Sequence, residues 1–387
     1  MKMRAVPYAW LQLSHEKLRL VAAAGGITFA VILVFMQLGL REALFDSSVR
    51  LHRNMDYDLV MMSPRTTFLA QTRAFPRSRL FQAVGVEGVA SVSPLYLHLA
   101  RSYYEGTPGT HRKLLAIGID PSDDNIAIAG VNDLLRELRK PDRIIMDRYA
   151  RDEFQPVVND FNGGEGVELQ LNERFMKLVG LYSLGTSFGV DASIITSDLN
   201  FQRIFPDRRP GNIDLGLIRL APGADREAVQ QELMSFLPRD VIVLTQAEYV
   251  RHEVDYWNGA TPIGYIFTLG AVIGVLVGVI IVYQILYSDV TSHLPQYATL
   301  KAIGYSNGFL TRLVLEEAAI LSVLGYLPAL GLTILLYGRA AAATQLPIAM
   351  TLERGITVFL LTLLMCSLSG LLAVRKLRGI DPAEVFA

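Results

Sequence analysis

Four stretches of the chain are apolar over about 20 residues or more, the length that an α-helix needs to cross the hydrocarbon core of a bilayer. They are residues 20–40, 262–287, 309–337 and 356–374. Their middles carry no charged side chain, as expected where a charge is costly to place in hydrocarbon. The whole chain is 51% hydrophobic and 19% charged, whereas about a quarter of a soluble domain is charged. We therefore predict an α-helical membrane protein with four transmembrane helices.

Positive charge at both ends predicts the orientation of these helices. Residues 1–19 contain four Lys and Arg side chains, and residues 375–387 contain three. Basic flanks tend to stay in the cytoplasm, so both the N-terminus and the C-terminus are predicted to lie there. Residues 1–19 also carry a partly apolar stripe, which fits an amphipathic helix on the inner leaflet or a charged flank that only sets the topology.

This topology places residues 41–261, and a short loop at 338–355, outside the cytoplasm. The longer segment can form one sizeable domain or two small ones, and its patterns are mixed α+β. Alternating and β-branched runs predict strands at residues 57–62, 89–104, 113–119, 142–146, 166–171, 175–181, 192–196, 213–220 and 241–244. Helical patterns fall at residues 77–84, 131–138, 198–205, 225–237 and 246–257.

Gly-rich turns divide this extracytoplasmic segment. Those at residues 105–110 and 159–166 suggest a β-rich insert at about residues 120–190 within a flanking α/β unit. The helix at 246–257 should continue into the second span as one long helix, with Pro262 able to kink it. The exposed tips at 66–76 and 207–212 are candidate contact sites for a partner, because loops usually carry such contacts.

The stretch at residues 288–308 separates the second and third apolar runs. Leu294, Tyr297, Leu300 and Ile303 recur every three residues, which predicts a short helix with a broad apolar stripe. Gly304 is a suitable residue to end that helix. By spacing alone the stretch is either a plain linker between two spans or a docking element for a soluble partner.

Several motifs for catalysis are missing. The chain has no Gly-Lys pair, so the phosphate-binding pattern GxxxxGK[ST] is absent. The HExxH pattern is also absent, and six scattered histidines show no metal-ligand spacing. A net charge of −1 gives no global field that would attract nucleic acid. The chain is therefore predicted to be no enzyme, with no cofactor, no metal and no nucleic-acid partner.

Two sets of residues within the apolar runs are informative. Glu316 and Glu317 lie near the start of the third run, where they could sit at the membrane interface, pair with a nearby arginine or contact a cytoplasmic partner. Gly270, Gly274 and Gly278 form successive small-xxx-small steps in the second run. Such steps allow close packing of helices, either with a second copy of the chain or within the monomer.

The order of these features resembles the MacB/FtsX-type, or type VII, permeases of ABC transporters. Residues 295–305, PQYATLKAIGY, are similar to the family signature E-x-A-x-L-[KR]-A-[LIM]-G, although Gln296 stands where the family often has Glu. Glu316-Glu317-Ala318 and Gly325 resemble the opening of the family's third span, and residues 380–384, IDPAE, its closing motif. The stretch around residues 288–305 looks most similar to DevC-like permeases.

The resemblance implies partners that the residues alone do not identify. In this family the permease is a homodimer in the inner membrane, with its large domain in the periplasm, and each copy docks on a separate ATPase subunit. MacB- and DevC-type assemblies add a periplasmic adaptor and a TolC-like outer-membrane channel. The short cytoplasmic helix is then a coupling helix that transmits motion from the ATPase. Its implied contact residues here are Leu294, Tyr297, Leu300, Lys301, Ile303, Gly304, Glu316 and Glu317.

Four functions are compatible with these observations. The first is a permease of a tripartite exporter that moves a lipid, a glycolipid or another amphiphile by mechanotransmission. A LolC-like lipoprotein-release subunit and an FtsX-like regulator of a cell-wall hydrolase are alternatives within the family. A membrane-anchored sensor or scaffold without an ATPase is an alternative outside it.

Overall fold

The structure, a computed structural model, describes residues 15, 17–105, 112–123, 128–185 and 187–378.

The described residues form two compact units. One unit takes its residues from Met1–Glu42, Ile263–Ala340 and Ile348–Ala387, and the other from Ala43–Pro262 and Ala341–Pro347. Most of the predicted amphipathic helix at 1–19, and most of the tail at 375–387 with its IDPAE motif, lie outside the described residues.

The α-helices of the described chain are numbered here in chain order. They are α1 (Lys17–Ser48), α2 (Arg50–Arg53), α3 (Ser78–Ala83), α4 (Leu135–Leu138), α5 (Gln155–Asn162), α6 (Asp198–Ile204), α7 (Arg226–Phe236), α8 (Gln246–Asp255), α9 (Pro262–Ser292), α10 (Leu294–Ala302), α11 (Asn307–Thr344) and α12 (Leu352–Arg378).

The strands all belong to the second unit. They are β1 (Leu59–Met62), β2 (Phe75–Pro76), β3 (Val89–Tyr103), β4 (Arg112–Ile119), β5 (Arg143–Asp147), β6 (Glu168–Leu171), β7 (Arg174–Tyr182), β8 (Ala192–Ser197), β9 (Asn212–Ile213), β10 (Leu215–Leu220) and β11 (Ile242–Thr245).

Four helices are long and apolar enough to cross a membrane. They are α1, α9, α11 and the part of α12 at Leu352–Arg375, which correspond to the four predicted spans. Each begins or ends beyond the predicted apolar run; α1, for example, has 32 residues and a length of about 48 Å at 1.5 Å per residue. The prediction of four membrane-spanning helices is thus supported by helix length and composition.

A long strand, β3, is shared by two parts of the sheet. Its first half pairs with β10 and extends the antiparallel order β11-β1-β10-β3. Its second half pairs with β4, and its last residues, Ser102 and Tyr103, pair with β6. Because β4, β8, β5, β7 and β6 are neighbours in that order, the pairing with β6 closes a six-stranded barrel. The barrel uses residues from about 95 to 197, a wider range than the predicted insert at about 120–190.

Side chains from both faces of this sheet are buried, which explains its continuous apolar strands. In β1, Leu59 and Met61 belong to one hydrophobic core, and Val60 and Met62 belong to another. Successive side chains of a strand point to opposite faces, so a strand buried on both faces favours apolar residues at every position. Strand β1 is accordingly apolar and buried along its whole length. Strand β8 is also buried throughout, and the hydroxyls of its Ser193, Thr196 and Ser197 are hydrogen-bonded.

Three of the five helices predicted in this unit begin at a residue whose side chain caps them. The Ser197 hydroxyl accepts the Asn200 N–H at α6, and the Asp225 carboxylate accepts two N–H groups at α7. Thr245 and Glu248 form a capping box at α8, in which each side chain accepts the backbone N–H of the other residue. These local signals are why the predicted strands and helices are largely confirmed.

Two sequence expectations in this unit were wrong. The turn expected at residues 159–166 begins as helix, because α5 extends to Asn162. The helix at 246–257 does not continue unbroken into the second span. It passes through a π-helical turn at Tyr256–Ala260, the backbone is extended at Thr261, and a new helix begins at Pro262. Proline has no N–H to donate and suits the first position of a helix, so it starts α9 instead of kinking a longer helix.

Candidate functional site after the second apolar helix

The short helix α10 has ends that its own sequence specifies. Pro295 lies in its first turn, where a missing N–H costs nothing. At its other end Gly304 has a φ of 105°, a conformation that glycine adopts without strain. The Gly304 N–H donates to the Lys301 carbonyl at 3.1 Å, and the Tyr305 N–H donates to the Leu300 carbonyl at 3.0 Å. These two bonds form a Schellman motif, so the predicted role of Gly304 at the helix end is confirmed.

One side of α10 is buried within the chain. Tyr297 is only 2% exposed and packs with Val290, Leu310, Val314 and other residues of α9, α11 and α12. Ala298 is buried as well, and Leu294, Leu300 and Lys301 are half-buried. Tyr297 therefore anchors α10 to its own unit, and in this arrangement it is not available to a partner.

The residues just after α10 present exposed apolar side chains. Ile303 is 71% exposed, Tyr305 42% and Phe309 37%. The rings of Tyr305 and Phe309 lie together with their centroids 4.6 Å apart. We call Ile303, Tyr305 and Phe309 the exposed apolar patch. The sequence prediction included Ile303 and missed the two aromatic residues, because they follow the helix and lie outside its three-residue repeat.

The two adjacent glutamates have different environments. Glu316 is half-exposed, and its Oε1 accepts a hydrogen bond from Arg312 Nε at 3.0 Å, four residues earlier on α11. Glu317 is wholly buried and lies near the carboxyl group of Asp289 on α9. Adjacent residues of a helix point about 100° apart, so only Glu316 faces outward, where a partner could reach it.

Charged side chains from several helices meet behind α10. Asp289 Oδ1 lies 3.8 Å from Arg19 Nη1 on α1 and 3.5 Å from Nδ1 of His293, the residue before α10. Arg19 also donates hydrogen bonds to the hydroxyls of two serines on α9. Together with Glu317 these residues form a polar cluster that links α1, α9, α10 and α11. Sequence reasoning had singled out only Glu317, although Asp289 and His293 are visible as polar residues at the end of an apolar run.

Two family models match the chain along most of its length. A model described as MacB-like periplasmic core domain matches residues 20–236, and one described as FtsX-like permease C-terminal matches residues 268–382. The first alone spans more than half of the chain. The chain belongs to the MacB/FtsX-type family of ABC transporter permeases. The segment containing α10 lies within the FtsX-like match, and the two candidate tips lie within the MacB-like match.

Comparison with solved structures gives distant similarity. The periplasmic region of MacB from Actinobacillus actinomycetemcomitans is 11% identical, with a TM-score of 0.37, and the match covers 51% of this permease and 94% of that chain. The extracellular domain of the noncanonic ABC-type transporter YknZ from Gram-positive bacteria is also 11% identical, with a TM-score of 0.34, covering 49% of this permease and 99% of that chain. A search of curated protein sequences found no match.

The three predicted packing glycines of the permease face other helices of the same chain. A side chain at Gly270 would overlap Gln37 on α1, and one at Gly274 would lie 3.1 Å from Val34. A side chain at Gly278 would collide with Met365 on α12. Packing within the monomer is therefore sufficient to explain their spacing, and a role in a dimer stays a prediction.

The two loops predicted as exposed tips, at residues 66–76 and 207–212, are held together although they are far apart in sequence. Strand β2 in the first pairs with β9 at the end of the second. Beside them, the buried carboxylate of Asp214 accepts hydrogen bonds from Thr72 Oγ1 at 2.9 Å, from the Leu97 N–H at 2.8 Å and from Arg208 Nη2 at 2.6 Å. Asp214 thus fixes both loops to the sheet. Sequence reasoning did not find this contact, because it had no signal for the β2–β9 pairing.

A buried titratable pair lies on the other side of the first loop. His52 Nε2 and Glu253 Oε2 are 3.7 Å apart, and both side chains are almost fully buried. Burial lowers the pKa of His52 to about 3 and raises the pKa of Glu253 to about 7, so the histidine is neutral at ordinary pH. The Glu253 carboxyl accepts the Leu69 N–H at 2.8 Å and the Trp257 indole N–H at 2.9 Å. Glu253 therefore connects the loop at 66–76 to the end of α8.

One motif that sequence reasoning overlooked proves to have no catalytic context. Residues 185–189 read Gly-Thr-Ser-Phe-Gly and match the G-x-S-x-G pattern of serine hydrolases. In those enzymes the serine stands on a sharp turn between a strand and a helix. Here Ser187 lies in the connection from β7 to another strand, β8. The pattern therefore gives no reason to assign catalysis to this permease.

Proposed function

We propose that this permease is the membrane subunit of an ABC exporter, and that α10 is the element on which a separate ATPase subunit docks. The observation that carries the proposal is that buried Tyr297 anchors α10, while the end of α10 leads directly into the exposed apolar patch of Ile303, Tyr305 and Phe309. An apolar patch exposed beside polar residues marks interaction surfaces in many proteins. Members of the family work with an ABC ATPase, and the sequence contains no phosphate-binding loop of its own.

The contacts of α10 support a role in force transmission. A load applied to the exposed apolar patch would pass through Tyr297 to α9, α11 and α12. It would also pass through His293 and the polar cluster to α1. Packed side chains transmit strain because protein interiors are dense and have low compressibility. In the proposed mechanism, closure of the ATPase therefore moves several apolar helices together.

The proposed setting follows from the family and from the chain's own charges. The permease works as a homodimer in an inner membrane, with α10 in the cytoplasm and the second unit in the periplasm. A periplasmic adaptor and a TolC-like channel complete the exporter, and the cargo is a lipid, a glycolipid or another amphiphile. The described middles of the apolar helices carry no charged side chain, which suits a permease that lines no hydrophilic path through the bilayer.

Co-purification tests the ATPase part of this proposal. The tagged permease is purified from membranes of its own host, and the bound proteins are identified and assayed for ATP hydrolysis. We expect an ABC ATPase to co-purify, and we expect Leu300→Asp and Ile303→Asp to abolish permease-dependent hydrolysis while the protein still inserts. Absence of an ATPase, or unchanged hydrolysis in both variants, would contradict the proposal.

The genes beside the permease gene test the periplasmic part. A neighbouring gene for an adaptor supports export. A neighbouring gene for a cell-wall hydrolase, with none for an adaptor, contradicts it in favour of an FtsX-like regulator. Lipoprotein release without an adaptor would likewise contradict the tripartite arrangement.

A further inference from the structure

A concave pocket in the second unit is lined by three exposed arginines. Arg65 and Arg73 belong to the loop between β1 and β2, and Arg239 belongs to the loop between α7 and β11. The pocket has a volume of about 800 Å³. Phe75 and Pro76 contribute apolar surface to its lining. Cationic side chains therefore stand beside an apolar wall in one cavity.

These three guanidinium groups have no anionic partner among the residues that the structure describes. The one carboxylate that lines the pocket, Asp240, is already engaged, because its Oδ2 accepts a hydrogen bond from Arg79 Nε at 3.1 Å. Neither Arg65 nor Arg73 nor Arg239 forms an ion pair with a described residue. Three like charges that face one cavity repel one another, and an anion bound there would relieve that repulsion.

Positive charge extends beyond the pocket. Residues 64–80 contain four arginines and no Asp or Glu, and residues 203–211 contain three arginines and one Asp. Three of the five arginines outside the pocket pair with Asp240, Asp142 and Asp214, so the charge beyond the pocket comes from Arg77 and Arg209. The pairing of β2 with β9 joins the two segments on one surface. Arginine, with its planar fork of donors, suits paired hydrogen bonds to carboxylates better than lysine does.

The loop that carries Arg65 and Arg73 is fixed before any partner binds. Within it the Thr66 hydroxyl accepts the Arg73 N–H at 3.1 Å. On one side Thr72 Oγ1 is bonded to Asp214, and on the other the Leu69 N–H is bonded to Glu253. A loop held in this way loses little conformational entropy on binding, which favours recognition.

We infer that Arg65, Arg73 and Arg239 form a docking site for an acidic segment of a partner protein. The segment would place carboxylates on the arginines and an apolar side chain against Phe75 and Pro76. A polypeptide fits better than a single small anion, because one cavity of about 800 Å³ combines three cationic side chains with the apolar surface of Phe75 and Pro76. The inference rests on the proposed function in one respect, since the periplasmic adaptor is the partner expected at this domain.

A peptide-binding experiment tests this site with the full-length permease in an uncharged detergent. The probe is a fluorescent peptide of alternating Glu and Leu, and its counterpart has Gln in place of Glu. The test variant is Arg65→Gln/Arg73→Gln/Arg239→Gln. The matched control is Arg136→Gln/Arg148→Gln/Lys177→Gln, which removes the same charge from three other exposed positions of the second unit.

We expect the acidic peptide to bind the wild type and the control with the same affinity. Its affinity for the test variant should be lower by about tenfold or more, because three charge-assisted contacts at the surface are lost. Raising the salt from about 50 mM to about 300 mM should weaken wild-type binding strongly and leave the remaining binding of the variant nearly unchanged. The Gln-containing peptide should bind the wild type as weakly as the acidic peptide binds the test variant.

Three outcomes would overturn the inference. One is no binding of the acidic peptide to the wild type, and another is equal loss in the test variant and the control. The third is arginine-dependent binding to vesicles containing phosphatidylglycerol without binding of the peptide, which would make an anionic lipid the ligand. None of these outcomes affects co-purification of the ATPase, so failure of this site is distinguishable from failure of the proposed function.

Discussion

Replacing Ile303 with alanine should separate docking of the ATPase from stability of the permease. Ile303, the residue that follows α10, is 71% exposed in the permease alone, whereas Tyr297 within α10 is 2% exposed. A partner that covers the exposed apolar patch would bury most of the isoleucine side chain. The alanine variant should therefore weaken docking and leave the folded permease intact.

The size of the effect follows from the exposed fraction. Full burial of an isoleucine side chain contributes about 1.5–3 kcal/mol, so burial of the exposed part contributes about 1–2 kcal/mol. That difference corresponds to about 5- to 30-fold in affinity for the ATPase. Tyr297→Ala should behave differently, because removal of a buried aromatic side chain costs about 3–5 kcal/mol of folding free energy.

The assay titrates the co-purifying ATPase subunit with permease in liposomes and measures ATP hydrolysis, and thermal unfolding is measured in parallel. Ile303→Ala should raise the half-maximal permease concentration about 5- to 30-fold without changing the melting temperature. Gln296→Ala, an exposed polar position of α10, is the control and should change neither. The reasoning fails if Ile303→Ala matches the control, or if it lowers the melting temperature as Tyr297→Ala does.

Three further predictions concern stability. Burial raises the pKa of Glu253 from its usual 4.5 to about 7, so the folded state holds a proton that the unfolded state has released. The contribution of Glu253 to the free energy of unfolding should therefore fall by up to about 3 kcal/mol as the pH rises from about 4.5 to about 7. Glu253→Gln should remove that slope in thermal melts taken across this range, and an identical slope in the variant would contradict the assignment. Asp214→Asn leaves Arg208 without its anionic partner and should lower the free energy of unfolding by about 3 kcal/mol. Hydrogen exchange in the loop at 66–76 should also become faster. Unchanged exchange would show that Asp214 does not hold the loop. Gly278→Val should overpack the helix contact, lower the free energy of unfolding by about 1–3 kcal/mol and so lower the melting temperature in detergent. Gly331→Ala, where a side chain would meet open space, should not change the melting temperature. Equal effects of the two substitutions would contradict the packing role of Gly278.

Local signals made much of the second unit predictable. Its strands are continuous apolar or alternating runs, and its helices begin at capping residues such as Thr245 and Asp225. Capping and turn formation depend on groups only a few residues apart, so they can be predicted from the sequence. Closure of the barrel could not be predicted from the sequence, because β3 and β6 are separated by most of the insert and pair through only two residues of each strand.

At the candidate docking site, too, local structure could be predicted from the sequence and the burial of individual side chains could not. The short helix and its end at Gly304 follow from sequence, because the Schellman motif needs a residue that tolerates positive φ. The repeat of apolar residues did not reveal that Tyr297 is buried in its own unit and Ile303 exposed. When apolar residues occur on more than one face, hydrophobic periodicity cannot say which face meets the rest of the chain.

The four apolar helices, the mixed domain, the short helix α10 and the family signature could be predicted from the sequence. They could be predicted because helix length, caps and turns are properties of neighbouring residues. No local pattern shows which of Glu316 and Glu317 is buried, or that β2 and β9 join the two arginine-rich loops; both follow from the fold. These outcomes depend on where distant segments pack, and the free energy of that packing is shared among residues that no local pattern connects.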